Sequence, residues 1–295
     1  MGKSINSVKG KMKKFVWLLA VVGSAACSQQ ESPAPGSKIN LSTRIEPLTR
    51  ISMDQTGKGS FTTGDNLQLV ISGSSAETRI ETYTVGTTEL FWKDLGFATS
   101  TRQVRFAGCY PALTGGSGTT RTFDLTASEE KDLLLAPAVS VERGTAEAVN
   151  LSFRHAMHRL RIVYAATEDY TTEELRQITT RCTAKAKCEV DLASGTVSQT
   201  LSDISTFEQA SASEALFLLP PQNSSDVTVT VKLDSREITI NLAQWLEEAG
   251  QAQPTLEGGK ELQVTMRVSK QGISFGGMEI VGWGSQGTVE GDIIL

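Results

Sequence analysis

Alternation of apolar and polar residues is the feature that most constrains the fold of this chain. Apolar residues occupy every second position of residues 227–233 and again of residues 262–268. Because side chains alternate between the two faces of a β-strand, this pattern predicts strands with one buried and one exposed face. Shorter apolar runs with the same character lie at residues 67–71, 104–110, 133–136 and 238–242. We therefore expect an all-β protein.

One strand-like run, residues 149–164, changes phase along its length. Apolar positions first fall on odd residues up to Met157 and then on even residues from Leu160. A period of two cannot shift without an extra residue, so we expect a β-bulge or bend between Met157 and Leu160. His155 lies on the apolar face. We interpret it as a core imidazole bonded to backbone rather than a ligand or base, because no carboxylate pairs with it nearby in the sequence.

Composition limits the classes of function. The 295 residues suffice for about two domains. The net charge is −5, and it becomes more negative without the lysines that precede Glu31. An acidic chain without a basic block is a poor nucleic-acid binder. Helical periodicity is scarce, with short candidates at residues 172–178 and 243–249.

Catalytic signatures are missing from the sequence. There is no G-x-S-x-G motif, and the two histidines have no marked nucleophile beside them. The adjacent carboxylates Glu129–Glu130 and Glu247–Glu248 would face opposite ways on a strand. The glycine-rich segment 114–121 lacks the lysine and helix start of a phosphate loop. We expect neither an enzyme nor a cofactor.

The first 26 residues resemble a bacterial lipoprotein signal peptide. Lysines precede an apolar run at residues 15–22, which is too short to cross about 30 Å of hydrocarbon by itself, and small residues then lead to Cys27. Cys27 is the expected lipidation site, although Ser24 stands where leucine is typical. Ordinary secretory cleavage after Ala26, with a free thiol at Cys27, is the alternative. Residues 27–37 are polar, contain proline and glycine, and are interpreted as a tether.

Three further cysteines remain, and an odd number cannot all pair internally. Cys182 and Cys188 could bridge across a hairpin in an oxidising compartment. Cys109 would then be a buried free thiol. The three lack the close paired spacing of zinc motifs, so no metal site is expected.

A series of local patterns, in matching order, resembles the Bacteroidales fimbrillins, which are FimA- and Mfa-type lipoprotein pilins. The segments that carry the resemblance are residues 49–50, 61–70, 90–95, 104–111, 132–136, 149–160, 191–196, 218–222, 256–260 and 280–283. The resemblance implies two tandem transthyretin-like (immunoglobulin-like) antiparallel β-sandwiches, at residues 38–145 and 146–295. It also implies an exported lipoprotein that an Arg-specific protease cuts, which releases an N-terminal strand. A strand of the next subunit then fills the groove.

Residues 39–41 match the displaced strand, and Arg50, ahead of Arg44, matches the cleavage site. Alternatively both arginines are ordinary solvated side chains, and lipid-retaining anchor subunits are not cut. The C-terminal residues 287–295 are either a donor strand or, as we slightly favour, the last strand of the second sandwich.

The function that the resemblance implies is that of a structural subunit of a cell-surface fimbria that supports adhesion. Its expected partners are other pilin subunits, the outer membrane through the lipid anchor, and a host protein or glycan. The alternative is a surface lipoprotein that does not polymerise and binds carbohydrate or a host protein.

Overall fold

The computed structural model describes residues 37–46, 60–74, 77–129, 131–166, 168–210, 213–248, 250, 254–269, 272–279 and 288–290. From residue 269 onward it describes the backbone alone. Cys27 and Arg50 lie outside the described residues.

The first sheet is built from the N-terminal half of the chain. The first seven strands are β1 (Leu41–Ile45), β2 (Asn66–Ser74), β3 (Glu77–Thr84), β4 (Gln103–Tyr110), β5 (Thr120–Asp124), β6 (Leu134–Glu142) and β7 (Val149–His155), with a 3-10 helix at Trp92–Leu95. Six of them form a sheet in the order β1-β7-β6-β4-β2-β3. Its neighbouring strands are antiparallel except for β1 and β7, which are parallel.

The C-terminal half forms two larger sheets. Its strands are β8 (His158–Ala166), β9 (Thr179–Lys185), β10 (Lys187–Asp191), β11 (Thr196–Thr200), β12 (Ile204–Gln209), β13 (Glu214–Leu219), β14 (Gln222–Asn223), β15 (Thr228–Leu233), β16 (Arg236–Asn241), β17 (Thr255–Leu256), β18 (Glu261–Ser269), β19 (Gly272–Glu279) and β20 (Thr288–Glu290). The sheet orders are β12-β9-β15-β16 and β13-β8-β18-β19-β20, and β14 pairs with β17. The all-β class is confirmed. β8 and β18 are parallel, however, because alternation determines the buried face of a strand and not its direction.

Helices are few and short in the described residues. Besides the 3-10 helix at Trp92–Leu95, they are α1 (Thr172–Leu175), α2 (Leu242–Glu248) and a 3-10 helix at Ser224–Asp226. Both α-helices lie where the sequence predicts helical turns. α1 begins with a capping box, in which the Thr171 hydroxyl and the Glu174 carboxylate each satisfy a backbone N–H of the other residue. In the described part of the chain, no helix has the length and apolarity needed to cross a membrane.

Buried apolar residues form three clusters. The N-terminal core packs on one face of the six-stranded sheet and includes Trp92, Phe106 and Phe153. The C-terminal core lies between the two larger C-terminal sheets and includes Trp245 and Phe217. The third cluster, the junction core, takes residues from both halves of the chain: Val70, Ala107, Cys109, Leu113, Phe123, Leu125, Leu133, Leu135, Met157, Cys188, Val190 and Leu192.

A three-stranded sheet, β11-β10-β5, covers the junction core and joins the two halves. β5 comes from the N-terminal half and pairs antiparallel with β10, so that Phe123 lies beside Cys188. The first two residues of β5, Thr120 and Arg121, are also the last two of the glycine-rich segment 114–121. The pairing with a strand more than sixty residues later is what makes these residues a strand.

The predicted bend is present and is the point at which the chain changes sheets. β7 ends at His155 and β8 begins at His158, so the strand is interrupted at Ala156 and Met157. Met157 and His158 are consecutive buried residues, which accounts for the change of phase. Sheet membership therefore changes here and not at 145/146, because β7 lies between β1 and β6 in the first sheet. The division into two sandwiches at residues 38–145 and 146–295 stays a prediction.

Two glycines allow a loop, residues 257–260, to pack directly on the bend. A Cβ atom at Gly258 would lie 2.4 Å from the carbonyl oxygen of Ala156. Gly259 has a φ of +69°, and its N–H donates to the Met157 carbonyl at 2.8 Å. A residue with a side chain would clash at the first position and be strained at the second. The loop thus holds the chain where it leaves one sheet for the other.

His158 is buried beside this loop. Its Nδ1 lies 2.9 Å from the Glu257 carbonyl oxygen. Burial lowers the pKa of His158 from 6.5 to about 4, and the hydrogen bond to Glu257 offsets only part of this effect. The folded chain therefore holds a neutral imidazole at neutral pH, with Nδ1 as the donor.

We expect His158 to make the fold sensitive to acid. The unfolded state binds a proton near pH 6.5 and the folded state only near pH 4, so stability is complete above pH 6.5 and falls as the pH drops towards 4. The loss from this residue is about 3 kcal/mol, at about 1.4 kcal/mol per pKa unit. In His158→Gln, whose amide can still donate to Glu257, the difference in unfolding free energy between pH 7 and pH 4 should shrink by that amount. Equal pH dependence in both proteins would contradict the assignment.

A substitution at Gly195 tests the contact between the two halves of the chain. Its φ is +67°, and a Cβ atom there would lie 2.5 Å from the backbone oxygen of Ala136 in β6. Gly195→Ala should lower the unfolding free energy through backbone strain and through this clash, which adds about 1–3 kcal/mol. Gly115→Ala is the matched control, because Gly115 has a φ of +81° and no atom within 4 Å of the added Cβ. Urea unfolding that gives equal losses for both variants would show that the contact does not constrain the fold.

Candidate assembly site at the first strand

The first described segment, residues 37–46, closes the N-terminal sheet by pairing with two separate parts of the chain. We name it the N-terminal clasp. Its β1 portion pairs with β7 in parallel over the whole of Leu41–Ile45. Its earlier portion runs antiparallel to residues 90–92, where Lys38 bridges Phe91. Because β1 has a sheet partner on one side only, it is an edge strand.

Backbone hydrogen bonds tie the clasp to both partners. The Ile39 N–H donates to the Leu90 carbonyl at 2.8 Å, and the Trp92 N–H donates to the Ser37 carbonyl at 3.1 Å. On the other side, the Val149 N–H donates to the Asn40 carbonyl at 2.7 Å. Removing the clasp would leave these groups, and those along β7, without partners. An edge with such groups is a template for another strand.

Side chains of the clasp alternate between core and solvent. Ile39 and Ile45 are 3% and 4% exposed and belong to the N-terminal core, and Leu41 packs partly against it. The residues between them, such as Ser42 and Arg44, are exposed. Burying one isoleucine contributes about 1.5–3 kcal/mol, so these few side chains supply most of the attachment.

Polar contacts of the clasp lie at the surface and add less. Lys38 Nζ lies 2.7 Å from Glu89 Oε1, and Arg154 Nε lies 2.8 Å from Glu46 Oε2. The hydrogen bond from Arg154 lowers the pKa of Glu46. Exposed pairs of this kind are worth about 0–1 kcal/mol each. The clasp is therefore held mainly by backbone pairing and by its apolar residues.

The chain returns to the same region after the clasp. Residues 47–59 lie outside the described residues, and the description resumes at Ser60. The Phe61 ring then packs edge-to-face on Phe153 of β7 and on Tyr110, with centroids 4.9 Å and 5.4 Å away. Ile45 and Phe61, described residues on either side of 47–59, thus both pack in or against the N-terminal core.

Comparison with known families places most of the chain in one family. The model of the fimbrillin-like family matches residues 49–283. The chain belongs to the fimbrillin-like family. This family is structural and adhesive rather than catalytic. No curated protein matches the chain.

Solved structures share the fold of this fimbrillin-like chain at low sequence identity. A candidate cell adhesion protein from Bacteroides uniformis is 15% identical with a TM-score of 0.63, over 84% of this chain and 98% of that one. A candidate cell adhesion protein from Bacteroides ovatus is 12% identical with a TM-score of 0.56, over 88% and 99%. A candidate polysaccharide-binding protein from Bacteroides thetaiotaomicron is 9% identical with a TM-score of 0.51, over 88% and 98%.

Of the residues expected to act in assembly, the structure describes Arg44 but neither Cys27 nor Arg50. Arg44 is exposed on β1, opposite Ser152 of β7, and its Nε donates to the Ser152 hydroxyl at 2.7 Å. The expected displaced strand, residues 39–41, lies within the clasp, although the strand itself extends further, to Ile45. Of the C-terminal residues 287–295, Thr288–Glu290 form β20, which pairs with β19 at the end of the sheet β13-β8-β18-β19-β20.

The Cys182–Cys188 disulfide that the sequence leaves possible is not formed in the structure. Both residues are free and buried, as is Cys109. No hairpin separates them, because β9 continues almost directly into β10 while the chain passes from one sheet to another. Six residues of extended chain span about 20 Å, far beyond the 7 Å limit between bridged Cα atoms. Cys182 lies in the C-terminal core and Cys188 in the junction core.

His155 is buried as expected, but its partner differs from the expectation. Its Nδ1 lies 2.5 Å from Oδ2 of Asp132, which precedes β6. A carboxylate distant in sequence therefore replaces the expected backbone acceptor, because β6 and β7 are neighbours in the sheet. Among the described residues, no group of three or more histidine, cysteine or acidic side chains could hold a metal ion.

We expect the clasp to detach without unfolding the sheet. Ile45→Ala removes a buried anchor and should cost about 2–5 kcal/mol. Hydrogen exchange should then accelerate at least about thirtyfold at Ile39 and Val149, with little change in β4. Arg44→Ala is the control, since it removes one exposed hydrogen bond and should accelerate exchange only slightly. Equal acceleration in β4 would show that β1 does not separate from the fold.

Proposed function

We propose that this chain is a structural subunit of a cell-surface fimbria that supports adhesion. It is exported as a lipoprotein, anchored in the outer membrane through Cys27, and assembled by proteolysis-triggered strand exchange. Its partners are further pilin subunits and, for adhesion, a host protein or glycan. The observation that carries the proposal is the N-terminal clasp. It is an edge element that buries two isoleucines and pairs its backbone with residues 90–92 on one side and with β7 on the other.

Membership of the fimbrillin-like family and the geometry of the clasp support this proposal together. A strand at a sheet edge can leave without breaking the ladders of the other strands. Once the clasp leaves, a β-strand from a second copy can take up its backbone hydrogen bonds and bury apolar residues in its place. The entering strand needs apolar side chains at alternate positions, as at Ile39, Leu41 and Ile45.

The pairing of Arg44 within a strand makes Arg50 the better candidate for the cleavage site. Arg44 lies within β1, where the backbone is paired with β7 over all five residues. Proteases cut most readily in exposed connections between elements. Arg50 follows the strand, so cleavage there leaves the clasp intact but removes its covalent link to the rest of the chain. The clasp is then held by non-covalent contacts alone.

The experiment treats the purified full chain with an Arg-specific protease and follows assembly by SDS electrophoresis without boiling. We expect cleavage after Arg50 and a ladder of SDS-resistant oligomers. Arg50→Ala should abolish both, whereas the matched variant Arg44→Ala should be cut and assemble like the natural chain. Correct cleavage at Arg50 without any oligomer would contradict strand exchange.

A surface lipoprotein that binds carbohydrate without polymerising is the competing function. Its structural support is the fold shared with a candidate polysaccharide-binding protein. Sugar sites usually present exposed aromatic rings, but Trp92 and Trp245 are 1% and 2% exposed. Among the described residues, the large exposed hydrophobic side chain is Ile204, which is aliphatic. Binding of the uncut monomer to a glycan array, with no ladder after cleavage, would favour this function.

A further inference from the structure

The three described cysteines are distributed unequally between the cores. Cys182 lies in the C-terminal core, whereas Cys109 and Cys188 both belong to the junction core. All three side chains are fully buried. The structure therefore separates the two cysteines that are close in sequence and brings together two that are far apart.

Strand geometry explains why Cys109 and Cys188 share a core. In β4, Phe106 faces the N-terminal core, while Ala107 and Cys109 face the opposite side of the sheet. That side is covered by the three-stranded sheet β11-β10-β5, from which Cys188 and Val190 point inward. The two cysteines thus lie on facing sides of two different sheets.

The two thiols are also electrostatic neighbours. Burial raises the pKa of Cys109, and the nearby Cys188 raises it further. Burial raises the pKa of Cys188 to about 12. Cys182 is not among the groups that act on either thiol. Cys109 Sγ donates a hydrogen bond of 3.4 Å to the Pro111 carbonyl, which is weak because a thiol is a weak donor. Such a weak contact leaves the sulfur able to turn towards another partner.

We propose that Cys109 and Cys188 form an inter-sheet disulfide when the chain folds in an oxidising compartment. Bridges between the two sheets of a β-sandwich are well known from immunoglobulin domains. This bridge would connect β4 to β10, and so the N-terminal half to the C-terminal half. It is independent of cleavage and strand exchange, since neither cysteine lies in the clasp or contacts it.

The reaction is thiol–disulfide exchange with an external disulfide, either a small molecule or an oxidoreductase. The thiolate of one cysteine attacks a sulfur of that disulfide, which forms a mixed disulfide and releases one thiolate. The second cysteine then attacks the mixed disulfide and releases the other. The two cysteines are oxidised by two electrons, the external disulfide is reduced by two, and two protons pass to the released thiolates. Because burial disfavours both thiolates, exchange occurs while the chain folds.

Trypsin offers a direct test, because it cuts after Arg181, Lys185 and Lys187 and so separates all three cysteines. The full chain is unfolded, refolded with reduced and oxidised glutathione, alkylated and digested without reduction. We expect mass spectrometry to find peptide 106–121 linked to peptide 188–232, with Cys182 alkylated in peptide 182–185. A link between peptides 182–185 and 188–232, or three alkylated cysteines, would overturn the proposal.

Thermal unfolding provides the second measurement. A bridge that closes a loop of about 80 residues should raise Tm by about 10 °C, and dithiothreitol should reverse the increase after unfolding and refolding. Cys109→Ala and Cys188→Ala should each abolish the redox-dependent difference in Tm. Cys182→Ala, the matched control, is also a buried substitution and should retain it. A redox-dependent difference that survives in Cys109→Ala would contradict this pairing.

Discussion

The architecture depends on one backbone event, the passage of the chain from the first sheet into the second at Ala156–Met157. An unbroken strand through this region would carry its buried positions to the wrong face after one residue. The interruption lets β7 contribute Phe153 to one core and β8 contribute Leu160 to another. The loop with Gly258 and Gly259 can pack on the bend because neither residue carries a Cβ. Both sandwich-like halves and the junction core between them follow from this passage.

The same division of strands places the clasp at an edge. β7 pairs with β6 on one side, which leaves its other side for β1. A parallel ladder is slightly less stable per residue than an antiparallel one. β1 is short, and its contribution to the core comes mainly from Ile39 and Ile45. Detaching a strand held in this way costs far less than unfolding the sheet, and the proposed assembly by strand exchange requires this difference.

The junction core has the opposite character, since it resists separation of the two halves. β5 pairs with β10, and Gly195 approaches the backbone of Ala136. In the proposed fimbria each subunit must transmit force along the fibre, and a sheet with a buried core distributes that load over many contacts. The proposed function thus requires both an edge strand that can detach and a junction that holds the two halves together.

The sequence alone determined the strand-rich class, the bend near Met157, the short helices and the fimbrillin resemblance, because alternation and local motifs are properties of neighbouring residues. Tertiary structure decided what depends on distant partners. It made residues 120–124 a strand through β10, gave His155 the carboxylate of Asp132, and separated Cys182 from Cys188. It also decided strand direction, as for β1 on β7, because a buried face looks the same whichever way a strand runs. Pairing between segments far apart in the chain depends on which surfaces pack together in the folded protein. A local sequence pattern does not contain that information.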